Sequence, residues 1–204
     1  MHIGNDRLES FCDGIFGFAI TLLILEVKIP DFSNAHNSGD IWDSLKNQWP
    51  SWFAFGLSFI TLLIAWVNHH HMLKQLDKTS SVFIYANGFL ILTVIVFPFS
   101  TGILGKSINT EFSQPGITIY CLSNFFHALA WLSIATAATQ PMDLSKDEIS
   151  RKKVIDTRSL IAKSCISTAI ITALSFWFPT VALCLVTASW VIYLFSGLFQ
   201  TSID

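Results

Sequence analysis

The chain alternates long uncharged intervals with short charged ones. Residues 47–73 carry no Asp, Glu, Lys or Arg, and neither do 79–105, 112–142 or 164–203. A bilayer core of about 30 Å requires about 20 helical residues. The first three intervals therefore each hold one span. The last is long enough for two, and Pro179 near its middle places a tight turn at "FPT". A further apolar stretch, "FCDGIFGFAITLLILEV", opens the chain at Phe11–Val27. The pattern predicts an all-α integral membrane protein with six transmembrane helices in a single domain, residues 1–204. The expected spans are 8–29, 51–73, 80–104, 116–138, 160–178 and 180–199. Backbone groups inside lipid must pair within their own segment, which excludes other secondary structure there.

Charge orients the spans. Arg7, Lys74, Lys78, Lys146, Arg151, Lys152, Lys153 and Arg158 fall at the amino terminus and in the second and fourth connections; Lys28, Lys46 and Lys106 fall on the other side. The positive-inside rule then puts both termini in the cytoplasm. The first apolar run lacks a small-residue cleavage site, so no signal peptide is expected. In the first connection, Ile41, Trp42, Leu45 and Trp49 share one helical side, as expected of a short interfacial helix. In the fourth, the segment from Ser145 onward reads as a charged helical continuation into span 5: a solvated face in the plain reading, attraction to anionic lipid headgroups in the sharper one.

Composition agrees: 52% hydrophobic and 13% charged residues, with mean hydropathy +0.55. Soluble domains carry about 25% charged residues. The short connections leave no room for a soluble catalytic domain. The formal net charge of −2 comes without a basic stripe, so no nucleic-acid partner is expected. Cys12, Cys121, Cys165 and Cys184 stand singly in apolar segments and read as buried thiols. No internal repeat of the kind found in many transporters is evident.

Span 1 is unusual because Asp13 and Glu26 lie near its two ends. A carboxylate at membrane depth faces the bundle, a partner or water rather than lipid. Between them, Phe18, Leu22 and Leu25 fall at i, i+4 and i+7 on one face, extended inward by Ile15 and Phe11, with Thr21 beside it. Gly14 and Gly17 permit close approach of another helix. Span 2 ends in "AWVNHHHMLK", level with the start of span 1. Asp13 needs a donor there, and Arg7, Asn68 and His69 are candidates. Adjacent histidines point about 100° apart on a helix, which argues against a shared metal. His127, inside span 4, reads as a satisfied interior histidine. No cofactor and no enzymatic nucleophile–base pair is expected.

These segments resemble a known family. "RLESFCDGIFGFAITLLILEV" is similar to the RxxxFSD signature of the transmembrane protein 175 potassium-channel family, with Arg7, Phe11 and Asp13 in the matching places. "WVNHHHML" and "FPFSTGILG" resemble that family's patterns at the end of span 2 and in span 3. The resemblance implies a prokaryotic single-repeat member, forming a homotetramer in the cell membrane and conducting potassium among monovalent cations. It implies a central pore lined by four copies of span 1, with apolar rings from Phe18, Leu22 and Leu25 and a hydroxyl at Thr21 in place of a TVGYG filter. It implies a hydrogen-bond network of Arg7, Asp13, Trp66 and His69. Cys12 stands where the signature has Ser, and Phe18 where the ring is usually Ile or Leu. The other reading is a proton-coupled or other secondary transporter, for which Asp13, Glu26, His69 and His127 offer protonation sites.

Overall fold

The computed structural model describes residues 5–33 and 35–200, with side chains to residue 194. The terminal residues whose cytoplasmic placement the charge pattern predicts lie outside that range. The described chain is all helical. Helix α1 runs Asn5–Leu22 and continues as a 3₁₀ turn over Leu23–Glu26. Then follow α2 (Ser38–Asn47), α3 (Trp49–Lys74), α4 (Ser81–Ser107), α5 (Ser113–Ala137), α6 (Glu148–Ser175) and α7 (Pro179–Gln200). Four of these segments are long and apolar enough to cross a membrane: Asn5–Glu26, Trp49–Lys74, Ser81–Ser107 and Ser113–Ala137.

The helix ends have local causes. Pro30 drives its preceding residue to extended backbone, so the first helix cannot reach Ile29 as expected and stops at Glu26. Asn37 begins α2 with a capping box: its side chain accepts from Gly39 and Asp40 N–H, while the Asp40 carboxylate accepts from the Asn37 N–H. Ser80 and Asp147 cap α4 and α6. Asp147 explains why α6 starts twelve residues before the apolar run does: the charged stretch is one helix with it. Pro50 and Pro179 stand in the first turns of α3 and α7, where a missing N–H leaves no helical bond unmade. On α2, Ile41 and Trp42 are exposed, while Trp49 belongs to α3.

Helix α4 sits at the centre, packed against α1, α3 and α5, and α5 carries α6 and α7 on its other side. Its core residues include Phe83, Leu90, Val94, Phe97 and Leu104, all fully buried. Polar side chains in this core satisfy one another. Thr101 Oγ1 donates to Ser58 Oγ at 2.6 Å, Ser58 Oγ to the Tyr120 hydroxyl at 3.2 Å, and Trp190 Nε1 to Asn124 Oδ1 at 3.0 Å. These bonds tie α3, α4, α5 and α7 where water is scarce and unmade bonds are costly. At one end of the bundle, the α3–α4 and α5–α6 connections clasp: Asp77 N donates to Leu144 O and Lys146 N to Gln75 O, both at 3.0 Å. Asn5 Nδ2 joins the clasp by donating to Leu76 O at 2.9 Å, which fixes the start of α1.

Candidate ion-conduction site

Helix α1 has two unlike faces. Leu8, Cys12, Phe16, Ala19 and Leu23 step by three or four residues along one side and are buried against the bundle. On the other side Phe11, Phe18 and Leu25 are 60%, 63% and 67% exposed. Gly14 and Thr21 lie between them and are exposed too. The open row Phe11, Gly14, Phe18, Thr21 repeats three-then-four, the spacing of a left-handed helix association, and Leu25 follows it on the 3₁₀ turn. Leu22 is half-buried and Ile15 packs against the core, so both flank this seam. Thr21 is on it rather than beside it. The i, i+4, i+7 spacing from Phe18 shares Phe18 and Leu25 with this open side and differs from it at Leu22, which is half-buried. A Cβ on Gly14 or Gly17 would meet nothing within 4 Å, so open space adjoins that face.

The amino-terminal half of α1 is fastened to α3 by two polar pairs. Trp66 Nε1 donates to Asp13 Oδ1 at 2.8 Å, and His70 Nδ1 lies 2.6 Å from Glu9 Oε1. The partners are four residues apart on both helices, in opposite directions, so each helix offers adjacent positions of one face. The Glu9–His70 pair was missed in the sequence because three adjacent histidines look alike until the helix rotation is known.

The remaining residues of the expected network go elsewhere. His69 Nε2 lies 2.8 Å from Asn87 Oδ1 on α4 rather than on Asp13. Asn87 Nδ2 donates to Phe83 O, so its Oδ1 accepts and His69 carries its proton on Nε2. His69 also packs against Phe16 and Trp131, at ring centroid distances of 5.8 and 6.4 Å. Asn68 is exposed and unbonded among the described residues. It stands about 200° round the helix from Trp66, facing away from α1. Arg7 is exposed, with no ion pair among the described residues, about 240° round α1 from Asp13. Cys12 is fully buried on the packed face.

His127 is held at both nitrogens. Trp131 Nε1 donates to its Nε2 at 3.2 Å, and its Nδ1 lies 2.9 Å from Thr93 Oγ1. An indole N–H only donates, and Thr93 Oγ1 gives its own hydrogen to Leu90 O at 2.6 Å. The ring is therefore the neutral Nδ1–H tautomer, and a second proton would have to displace the indole. Thr21 Oγ1 donates to Phe18 O at 2.7 Å, which leaves acceptor lone pairs on the one hydroxyl of the open seam. Glu26, at the far end, rests against Gly102 of α4.

Residues 7–98 match the family described as endosomal/lysosomal potassium channel TMEM175. The chain is 36% identical over 137 residues to a potassium channel of Chamaesiphon minutus, covering 64% of this chain and 66% of that one. It is 33% identical over 131 residues to a potassium channel of Streptomyces collinus, covering 64% and 62%. The alignments thus span about two thirds of those relatives' lengths. The fold superposes with a TM-score of 0.82 and 26% identity on the crystal structure of a lysosomal potassium-selective channel TMEM175 homolog from Chamaesiphon minutus. That match covers 94% of this chain and 97% of the other.

Proposed function

We infer the function from this premise: the chain belongs to the TMEM175 family, a family of channels and not of enzymes. We propose that it is a passive, potassium-permeable cation channel of a prokaryotic plasma membrane. Four copies assemble around an axis lined by α1, each with six spans formed by α1 and α3–α7 and with both termini on the cytoplasmic side. Phe18, Leu22 and Leu25 narrow the axis, and Thr21 supplies the hydroxyl between them.

The observation that carries this reading is the pinning of α1. Its packed row, Asp13–Trp66 and Glu9–His70 hold one side of the helix in the protomer. The opposite side, with Phe11, Phe18, Thr21 and Leu25, is exposed, and open space adjoins Gly14 and Gly17. A face so prepared suits self-association about an axis. An apolar ring offers a hydrated ion no replacement for its water, so it gates by dewetting. Potassium loses its hydration shell at lower cost than sodium, which favours potassium through such a ring. The carrier reading finds less support, because Asp13 and His127 are committed to indole donors and His69 to an amide.

Potassium flux from reconstituted liposomes tests the proposal. Wild type should release potassium passively, and Leu22→Ala should release it faster. Flux no higher than protein-free liposomes for both proteins overturns the reading.

A further inference from the structure

The outer end of α1 is wound differently from the rest. An α-helix turns about 100° and rises about 1.5 Å per residue, against about 120° and 2.0 Å for a 3₁₀-helix. Over the three steps from Leu22 to Leu25 the two windings differ by about 60° of rotation and 1.5 Å of rise. As a 3₁₀ turn, Leu23–Glu26 brings Leu25 almost directly above Leu22, since side chains three apart eclipse. As an α-helix, the same residues would swing Leu25 off that line. The direction of the outermost apolar side chain of the seam therefore depends on the winding of four residues.

Glu26 closes that turn, and its side chain lies across Gly102 near the carboxyl-terminal end of α4. A Cβ at 102 would overlap the Glu26 carboxylate oxygen and fall 2.8 Å from its Cδ and 3.4 Å from its Cγ. Gly102 is buried, so the missing side chain is a notch that Glu26 fills. Glu26 makes no hydrogen bond or ion pair among the described residues. Its seat is one of shape. One turn further, Gly105 lets α4 approach α3 so closely that a Cβ would lie 3.0 Å from Ser51 Cα.

We propose that Glu26 is a positioning residue: seated on Gly102, it holds the 3₁₀ winding and so stacks Leu25 over Leu22 at the conduction path. This rests on the channel reading above. The seat can be removed from either side. Glu26→Ala empties it without crowding anything, and Gly102→Ala fills it and expels the carboxylate. Glu26→Gln keeps the shape and removes the charge. Each variant is reconstituted, its assembly checked by size exclusion, and its potassium flux and potassium/sodium reversal potential measured.

Glu26→Ala and Gly102→Ala should both change flux several-fold and shift the reversal potential in the same direction, while Glu26→Gln stays near wild type. If Gly102→Ala does not assemble, Glu26→Ala decides alone. Wild-type flux and reversal potential in assembled Glu26→Ala overturn the proposal, as does a Glu26→Gln that behaves like Glu26→Ala. A wild type without flux overturns the channel reading instead.

Discussion

Trp66→Phe isolates the fastening of α1. The substitution keeps an aromatic ring but removes the N–H that donates to Asp13 Oδ1 at 2.8 Å. A hydrogen bond to a charged group contributes about 1.5–3 kcal/mol when shielded. Trp66 is 39% exposed, so water competes for the carboxylate and screens the interaction. About 1 kcal/mol remains after that discount, roughly a fivefold change in the folded ratio. In a chain of this size that lowers the thermal midpoint by about 2–4 °C. The assay is survival of the assembled peak on size exclusion after heating in detergent, run alongside Asp13→Ala and the double variant. The two single changes should be non-additive by about the same 1 kcal/mol. Asn68→Ala is the control. It sits two residues away, unbonded, and should stay within about 0.5 kcal/mol of wild type. Equal stability of Trp66→Phe and Asn68→Ala, with an additive cycle, would refute the claim that this bond pins α1.

Four further outcomes follow from other parts of the structure. Phe16 is fully buried and Phe18 is 63% exposed in the protomer; Phe16→Ala should therefore lose about 3–5 kcal/mol of stability. Phe18→Ala should leave the protomer folded and raise ion flux while lowering potassium preference, read by heating and by liposome efflux on the same samples. His127→Leu should destabilise by about 1–3 kcal/mol, because the buried Trp131 indole N–H loses its acceptor; unchanged thermal survival would contradict that pairing. At the α5–α6 connection, backbone N–H bonds from Ser145 and Ser150 hold Asp143 and Asp147 below the usual carboxylate range. A lowered folded value means their support is complete above the unfolded value of about 4 and is lost as pH falls below it. Hydrogen exchange in residues 143–150 should thus match at pH 7 and pH 5 after correction for intrinsic rate, and show loss of protection only below about pH 4.

Much of the architecture was legible because the bilayer is a severe solvent. Intervals without charge about as long as a membrane is thick have to be helices, whatever they pack against. Their bounds were less legible where local chemistry overrides hydropathy. Pro30 ends α1 early, and the Asp147 cap begins α6 within a charged stretch. The candidate site divides in the same way. Asp13 at membrane depth demanded a donor from a neighbouring helix, and the end of α3 was the polar stretch level with it.

Which donor it took is a matter of rotation and tilt, and these come from packing. Trp66 and His70 face α1, His69 turns to Asn87 on α4, and Asn68 faces outward. Consecutive letters thus enter three environments. The exposed seam is likewise a property of contact: Phe18 and Phe16 are the same residue type two positions apart, and only the bundle makes one core and the other open. The seat of Glu26 on Gly102 joins positions far apart in sequence through a missing side chain. Helix-forming intervals are encoded locally because lipid acts on each segment separately; partners, faces and seats are not, because they depend on how rigid helices turn against one another.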